Sequence, residues 1–293
     1  MHKYMMIDAH LHLWEKQNGR VNNKPVVGIG GGKSDFGGEI RQMMPPYLDD
    51  DRNTAERLIY NMDYAGVAGC VVTQEYIDGN QDEYLLKVRN KYPDRFRVCS
   101  LYEENDDYAL DGFDGMKICA GRLNDQDLKK LLPVMKRVEE TGKFVSIDMA
   151  DGAAQVEGLQ YIVDNCPSLK IAIGHFGMVT TDGWQEQIRL AKNKNVYVES
   201  GGLTWLFSKE FYPYPSAIDA ILEARDICGI EKLMWGSDYP RTMTDITYNM
   251  ATRFIVETDK MTVEEKRLFL GENAKAFYGF GNVNRMPIID NML

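Results

Sequence analysis

Met5-Met6-Ile7-Asp8-Ala9-His10-Leu11-His12 carries the first apolar run of the chain, Met5 to Ala9, into two histidines one residue apart. In extended backbone alternate side chains share a face, so His10 and His12 point the same way as the strand ends. A doubly wound nucleotide-binding sheet would place a glycine-rich phosphate turn directly after its first strand. Here that position holds His10-Leu11-His12. Imidazoles at the mouth of a closed barrel are the better reading.

Seven further short runs rich in apolar and β-branched residues follow: Val67 to Gln74, Phe96 to Leu101, Gly115 to Cys119, Phe144 to Met149, Ile171 to His175, Val196 to Ser200 and Lys232 to Ser237. Charged stretches with helical character lie between them: Thr54 to Ala65, Glu83 to Tyr92, Asp125 to Thr141, Ala154 to Asn165, Gly183 to Lys192 and Pro215 to Cys228. Gly66, Pro93, Gly142, Pro167 and Gly229 close several of these helices. Eight strand-helix units within 293 residues predict an α/β chain of one domain, a (β/α)8 TIM barrel spanning residues 1–293.

The longest interruption runs from Leu13 to Asn53, so residues 14–53 are expected to form a long, irregular, glycine-rich loop on the substrate side of the barrel, either a mobile lid or merely a flexible insertion. Within it, Gly28-Ile29-Gly30-Gly31-Gly32-Lys33-Ser34 imitates a phosphate-binding loop. The required spacing would put the first glycine at Val27, and Asp35-Phe36-Gly37-Gly38 is a poor helix start, so nucleotide binding is not expected.

A formal net charge of -10 argues against nucleic acid or an anionic membrane as partner, since both require a dense basic surface. The expected partner is a small-molecule substrate, with homo-oligomer formation left open. Cys70, Cys99, Cys119, Cys166 and Cys228 contain no C-x-x-C pair, and most lie in apolar runs, which predicts buried, reduced thiols. Met1 to Ala9 lacks the pattern of a secretion signal, and no apolar run reaches the length of a membrane span, so a cytoplasmic location is expected.

Two imidazoles spaced as in His10 and His12 can chelate one divalent ion, or present donors to a substrate oxygen, or simply be polar residues of a strand-to-loop turn. His175 ends the sixth run beside Gly174 and Gly177, glycines that imply close backbone approach. Asp238 lies just past the eighth run, at the end of a barrel strand where catalytic groups sit, although capping the next helix would also suit it. Arg241 and Arg122 are candidates to fork a substrate carboxylate. Trp14, Tyr76, Trp205 and Tyr239 fall after strands, where an aromatic face can stack on a sugar or lactone ring or merely pack. Lys117 can line the barrel interior or bind a substrate anion, and Glu75, Glu103 and Glu199 are further carboxylates at or near strand ends.

Seven segments stand in a telling order: Ile7 to Trp14, Val72-Thr73-Gln74, Gly115-Met116-Lys117, Ile173 to Gly177, Val198 to Leu203, Trp235 to Pro240 and Gly271 to Tyr278. Together they resemble the amidohydrolase superfamily, in particular its amidohydrolase-2 branch of metal-dependent hydrolases, lactonases and decarboxylases. The resemblance implies that His10, His12, His175 and Asp238 are the metal or substrate groups of strands one, six and eight. It implies also that Asp238 accepts a proton from the attacking water while the histidines polarise a carbonyl.

One departure matters. Many zinc-dependent and decarboxylating members end strand five with a histidine, where this chain reads Val145-Ser146-Ile147-Asp148-Met149. Asp148 could supply an oxygen ligand, and Ile147-Asp148-Met149 is similar to the branch that opens sugar lactones and pyrone-dicarboxylate lactone, some of whose members use no metal. Lys117 occupies the position at which two-metal members carry a carbamylated lysine, a role the missing histidine disfavours. The expectation is therefore a lactonase using one divalent ion at most, zinc first, or none. A metal-dependent decarboxylase or hydratase, or an inactive barrel that binds a carbohydrate-derived ligand, are the alternatives.

Overall fold

Residues 3–104, 108–281 and 283 are described by the computed structural model. All eight expected runs are strands of one parallel sheet: β1 (Met6–Leu11), β6 (Val67–Val72), β7 (Phe96–Leu101), β8 (Gly115–Ile118), β9 (Phe144–Ile147), β10 (Lys170–Ile173), β11 (Val196–Glu199) and β12 (Leu233–Met234). The strands read as near-continuous apolar runs because both faces are covered, one by the barrel interior and the other by helices. Hydrogen-bonded order follows chain order from β1 to β12. The ring closes where β12 returns to β1: Ala9 N–H donates to Trp235 O at 2.9 Å, Asp238 N–H to His10 O at 2.9 Å and His12 N–H to Tyr239 O at 2.8 Å. The chain is thus a (β/α)8 barrel.

The connecting helices include Ala55–Ala65, Asp82–Lys91, Leu132–Glu140, Val156–Asn165, Trp184–Arg189 and Pro215–Cys228. The expected helix from Asp125 is shortened, since Pro133 fits only the first turn and a 3-10 turn over Leu128–Leu131 precedes it. Gly66 ends the first helix in the left-handed region, φ 76°, its N–H returning to Asp63 O and Met62 O.

Residues 14–53 depart from expectation. Instead of an irregular loop they hold a four-stranded antiparallel sheet, β2 (Asn18–Val21), β3 (Lys24–Gly30), β4 (Lys33–Phe36) and β5 (Ile40–Gln42). Asn22 and Asn23 both have positive φ, 49° and 60°, the conformation of a two-residue hairpin turn, and Gly30 to Gly32 form the next. The segment resembling a phosphate loop is therefore a hairpin with Gly30 opposite Lys33. Val26, Phe36 and Met43 give the small sheet its own core, and Arg20 N–H to Tyr76 O, 2.7 Å, ties it to the loop after β6.

Beneath the closure lies Asp8, fully buried. Its carboxylate accepts from Ser237 N–H at 2.8 Å, Ser237 Oγ–H at 2.5 Å, Tyr248 O–H at 2.7 Å and His10 N–H at 3.2 Å. Burial pushes this carboxyl up to about 7 while the four donors pull it down. Asp8→Ala would leave buried donors without an acceptor and should lower unfolding free energy by about 2–4 kcal/mol in urea titration. A loss under about 1 kcal/mol would show that β12 is held without this carboxylate.

Candidate active site

The polar groups of the barrel gather at the C-terminal ends of its strands. His10 and His12 come from β1 and its end, Asp148 follows β9, His175 follows β10, Glu199 ends β11 and Asp238 follows β12. His10 is fully buried, with Nδ1 2.6 Å from Glu199 Oε1. His12 Nδ1 lies 3.1 Å from Thr73 O and 3.3 Å from Asp78 Oδ2, and His175 Nδ1 lies 2.9 Å from Gly201 O. Each imidazole therefore has its Nδ1 against an oxygen acceptor, which places a proton on Nδ1. His10 and His12 then bring their Nε2 atoms to 3.2 Å from one another, and His175 Nε2 stands 3.6 Å from Asp148 Oδ2.

Asp238 joins this group through Oδ1, 3.1 Å from His12 Nε2 and 3.8 Å from His10 Nε2, while Oδ2 accepts from Trp205 Nε1–H at 2.5 Å. Its backbone is left-handed, φ 58°, as are those of His175 and Phe176, at 56° and 50°. Three non-glycine residues held in that region store strain at the site. Close approach explains the glycines beside His175: a Cβ on Gly174 would fall 2.0 Å from Asp148 Oδ1 and 2.9 Å from Glu199 Oε1.

Charge is arranged unevenly. Burial lowers the pKa of His10 despite the Glu199 carboxylate, which keeps this ring neutral. Burial also opposes protonation of His12, but its hydrogen bonds to Asp238 and Asp78 outweigh that and hold it well above the usual histidine range. His175 is carried to about 9 against burial by Asp148. Burial would raise Asp238, yet the His12 hydrogen bond and the surrounding rings hold it well below the usual carboxylate range. Lys117, wholly buried, puts Nζ 2.6 Å from Asp148 Oδ2 and keeps that carboxylate ionised.

Two imidazole lone pairs cannot face each other at 3.2 Å without a positive group between them. A proton on His12 Nε2 satisfies the contact, and so would one cation. In tetrahedral zinc sites with ligands at about 2.0–2.1 Å, neighbouring donors are about 3.3 Å apart, close to the His10–His12 and His12–Asp238 separations. Donor atoms of His10, His175 and Asp238 also lie within 4.8 Å of one another. His10, His175 and Asp238 thus form a group that could hold one divalent ion of the zinc or manganese kind, with His12 beside His10 and Asp238.

A cavity of about 560 Å³ opens above this floor, lined among others by His12, His175, Asp148, Asp238 and Trp205. Of the residues expected to bind substrate, Trp14, Arg122 and Arg241 line it. Lys117 does not, being wholly buried with its Nζ against Asp148, and Tyr239 is buried with its ring against Tyr248 and borders a separate cleft. Glu75 lines the cavity, Glu103 bonds Asn80 outside it, and Glu199 supports His10 from beneath. Asp78 and Asp8 were not anticipated. In Tyr76-Ile77-Asp78-Gly79 the aspartate has the sequence signature of a turn, and nothing local distinguishes it from one.

A sequence profile described as amidohydrolase matches residues 7–280. Among solved structures, a Pseudomonas putida protein assigned as a 2-pyrone-4,6-dicarboxylic acid hydrolase superposes with a TM-score of 0.68 at 21% identity, covering 94% of this chain and 98% of its own. A Burkholderia multivorans amidohydrolase with bound zinc gives 0.67 at 14%, covering 94% and 100%. A 5-carboxyvanillate decarboxylase from Novosphingobium aromaticivorans, complexed with manganese and a nitrobenzoic acid, gives 0.56 at 18%, covering 78% and 81%. No curated protein matches the sequence. At these identities the structures establish a shared fold.

The geometry predicts the tautomer of His10. In chelator-treated protein, long-range proton–nitrogen NMR should show its proton on Nδ1, with the low-field signal lost in Glu199→Ala. A proton on Nε2 instead would contradict the arrangement.

Proposed function

The chain belongs to the amidohydrolase family, and from that premise we propose that it is a lactonase, opening a cyclic ester by water attack with Asp238 as general base. The observation that carries this reading is Asp238 itself, an ionised carboxylate at the cavity floor flanked by His12 at 3.1 Å and by Trp205. It is held in place at both oxygens and faces imidazoles suited to a developing negative charge.

Water poised at Asp238 attacks the lactone carbonyl carbon and gives its proton to the carboxylate. The carbonyl oxygen becomes an oxyanion, and His12 and His175, both cationic by the arguments above, stand to receive it. Collapse of the tetrahedral intermediate breaks the ring carbon–oxygen bond, and the proton on Asp238 passes to the departing alkoxide. In place of the protons on His12 and His175, a divalent ion could be held by His10, His175 and Asp238 with His12 beside them, and when bound it would supply Lewis-acid polarisation of a carbonyl. His10, neutral and anchored by Glu199, keeps Nε2 available to that group.

Similarity to a pyrone-dicarboxylic acid hydrolase supports a cyclic ester as substrate class. The likeness to a decarboxylase is the basis of a second reading, but strand five ends here in Asp148, already paired with Lys117, where a histidine would be wanted. Strain at Asp238 and His175 speaks against an inactive ligand-binding barrel.

Asp238→Asn should lower kcat on whichever lactone is turned over by about 10²–10⁴-fold, with KM changed little, in a pH-indicator assay. Near-normal turnover would refute the role. Elemental analysis after zinc or manganese loading of chelator-treated protein should find one equivalent per chain, reduced in His10→Ala. Two equivalents would contradict the one-ion fit.

A further inference from the structure

Two guanidinium groups stand on opposite sides of the cavity, and they are not equivalent. Arg122 follows β8, the fourth barrel strand, and Arg241 follows β12, the eighth. Arg122 Nε lies 2.9 Å from Glu75 Oε1. That same oxygen accepts from Tyr76 N–H at 2.8 Å, so the carboxylate is fixed by backbone as well as by charge. Glu75 is 8% exposed and lines the cavity itself. Asp78 and Asp148 line the cavity with it, so this side presents carboxylates.

Arg241 has no carboxylate partner among the described residues. Its guanidinium lies over the Trp205 ring, 4.4 Å from the centroid, and Trp205 in turn donates to Asp238. An arginine stacked on an indole keeps its planar fork free for a carboxylate, and here the fork overlooks the wall that holds the general base.

We propose that Glu75 is a specificity-determining residue: by neutralising Arg122 it leaves one open carboxylate seat, at Arg241, so the cavity takes lactones bearing a single carboxylate and rejects dicarboxylates. The inference rests on the lactonase reading above. A second substrate carboxylate would have to sit against Glu75 in a partly desolvated cavity, where like charges repel strongly. A hydroxyl at that end can donate to Glu75 instead. The chain thereby differs in selectivity from what the dicarboxylic acid named for the Pseudomonas putida protein would suggest.

Inert ring acids test this by calorimetry on the full chain, with benzoate and benzene-1,3-dicarboxylate as probes. Wild type should bind the diacid no more tightly than benzoate. Glu75→Gln should tighten diacid binding roughly tenfold and change benzoate by less than about threefold, because a freed guanidinium gains a charged hydrogen-bond partner. Adding Arg122→Gln to that variant should abolish the gain, separating Arg122 from a general loss of negative charge. Arg241→Met should weaken benzoate roughly tenfold. A wild-type preference for the diacid of tenfold or more, an unchanged ratio in Glu75→Gln, or no measurable binding of benzoate would each overturn the proposal. A lactone panel on the same proteins keeps the two ideas apart: no lactone opened by wild type refutes the hydrolysis, whereas turnover without the predicted binding ratios refutes the role of Glu75.

Discussion

The backbone hydrogen bonds of Ala9, His12 and Asp238 that bring β12 back onto β1 are the constraint on which the site depends. They join the two ends of an eight-stranded ring, and the same bonds set Asp238 beside His10 and His12, more than two hundred residues earlier in the chain. Asp8, one position inward, gathers donors from Ser237 and Tyr248 and so fixes the strand that carries Asp238. Closure and assembly of the candidate site are one event: a β12 displaced by one residue would turn Asp238 away from the imidazoles.

From that junction the electrostatics follow outward in layers. Glu199, Thr73 and Gly201 hold the Nδ1 sides of the three rings, which leaves the Nε2 atoms of His10 and His12 toward Asp238 and that of His175 toward Asp148. Lys117, wholly buried, pairs with Asp148 at the cavity wall, and Asp148 in turn raises His175. Burial alone would neutralise these groups. They remain charged because each has a partner of opposite sign within a few ångströms, which sets cationic rings beside an ionised Asp238.

Much of this was legible in the sequence. The eight strands were visible because strands buried on both faces need continuous apolar runs, and His10, His12, His175 and Asp238 were visible because they sit where those runs stop. The small sheet at 14–53 was obscured by its glycines, which mark tight turns as readily as loops; Asn22-Asn23 between Val21 and Lys24 was the available hairpin signal. Asp78 and the Glu75–Arg122 pair depend on contacts between strand ends far apart in the chain, and no local pattern reports those. Tyr239 shows the converse, since its place after β12 suggests the cavity while the left-handed turn at Asp238 sends its ring the other way.

Water that adds to an acyl carbon at Asp238, as proposed, leaves an isotopic record in the product. Mass spectrometry of the product formed in oxygen-18 water, using whichever lactone is turned over, tests this directly. One heavy oxygen in the newly formed carboxylate, with the ring hydroxyl unlabelled and no carbon dioxide released, is the predicted result. Label in the hydroxyl instead, or release of carbon dioxide, would contradict it.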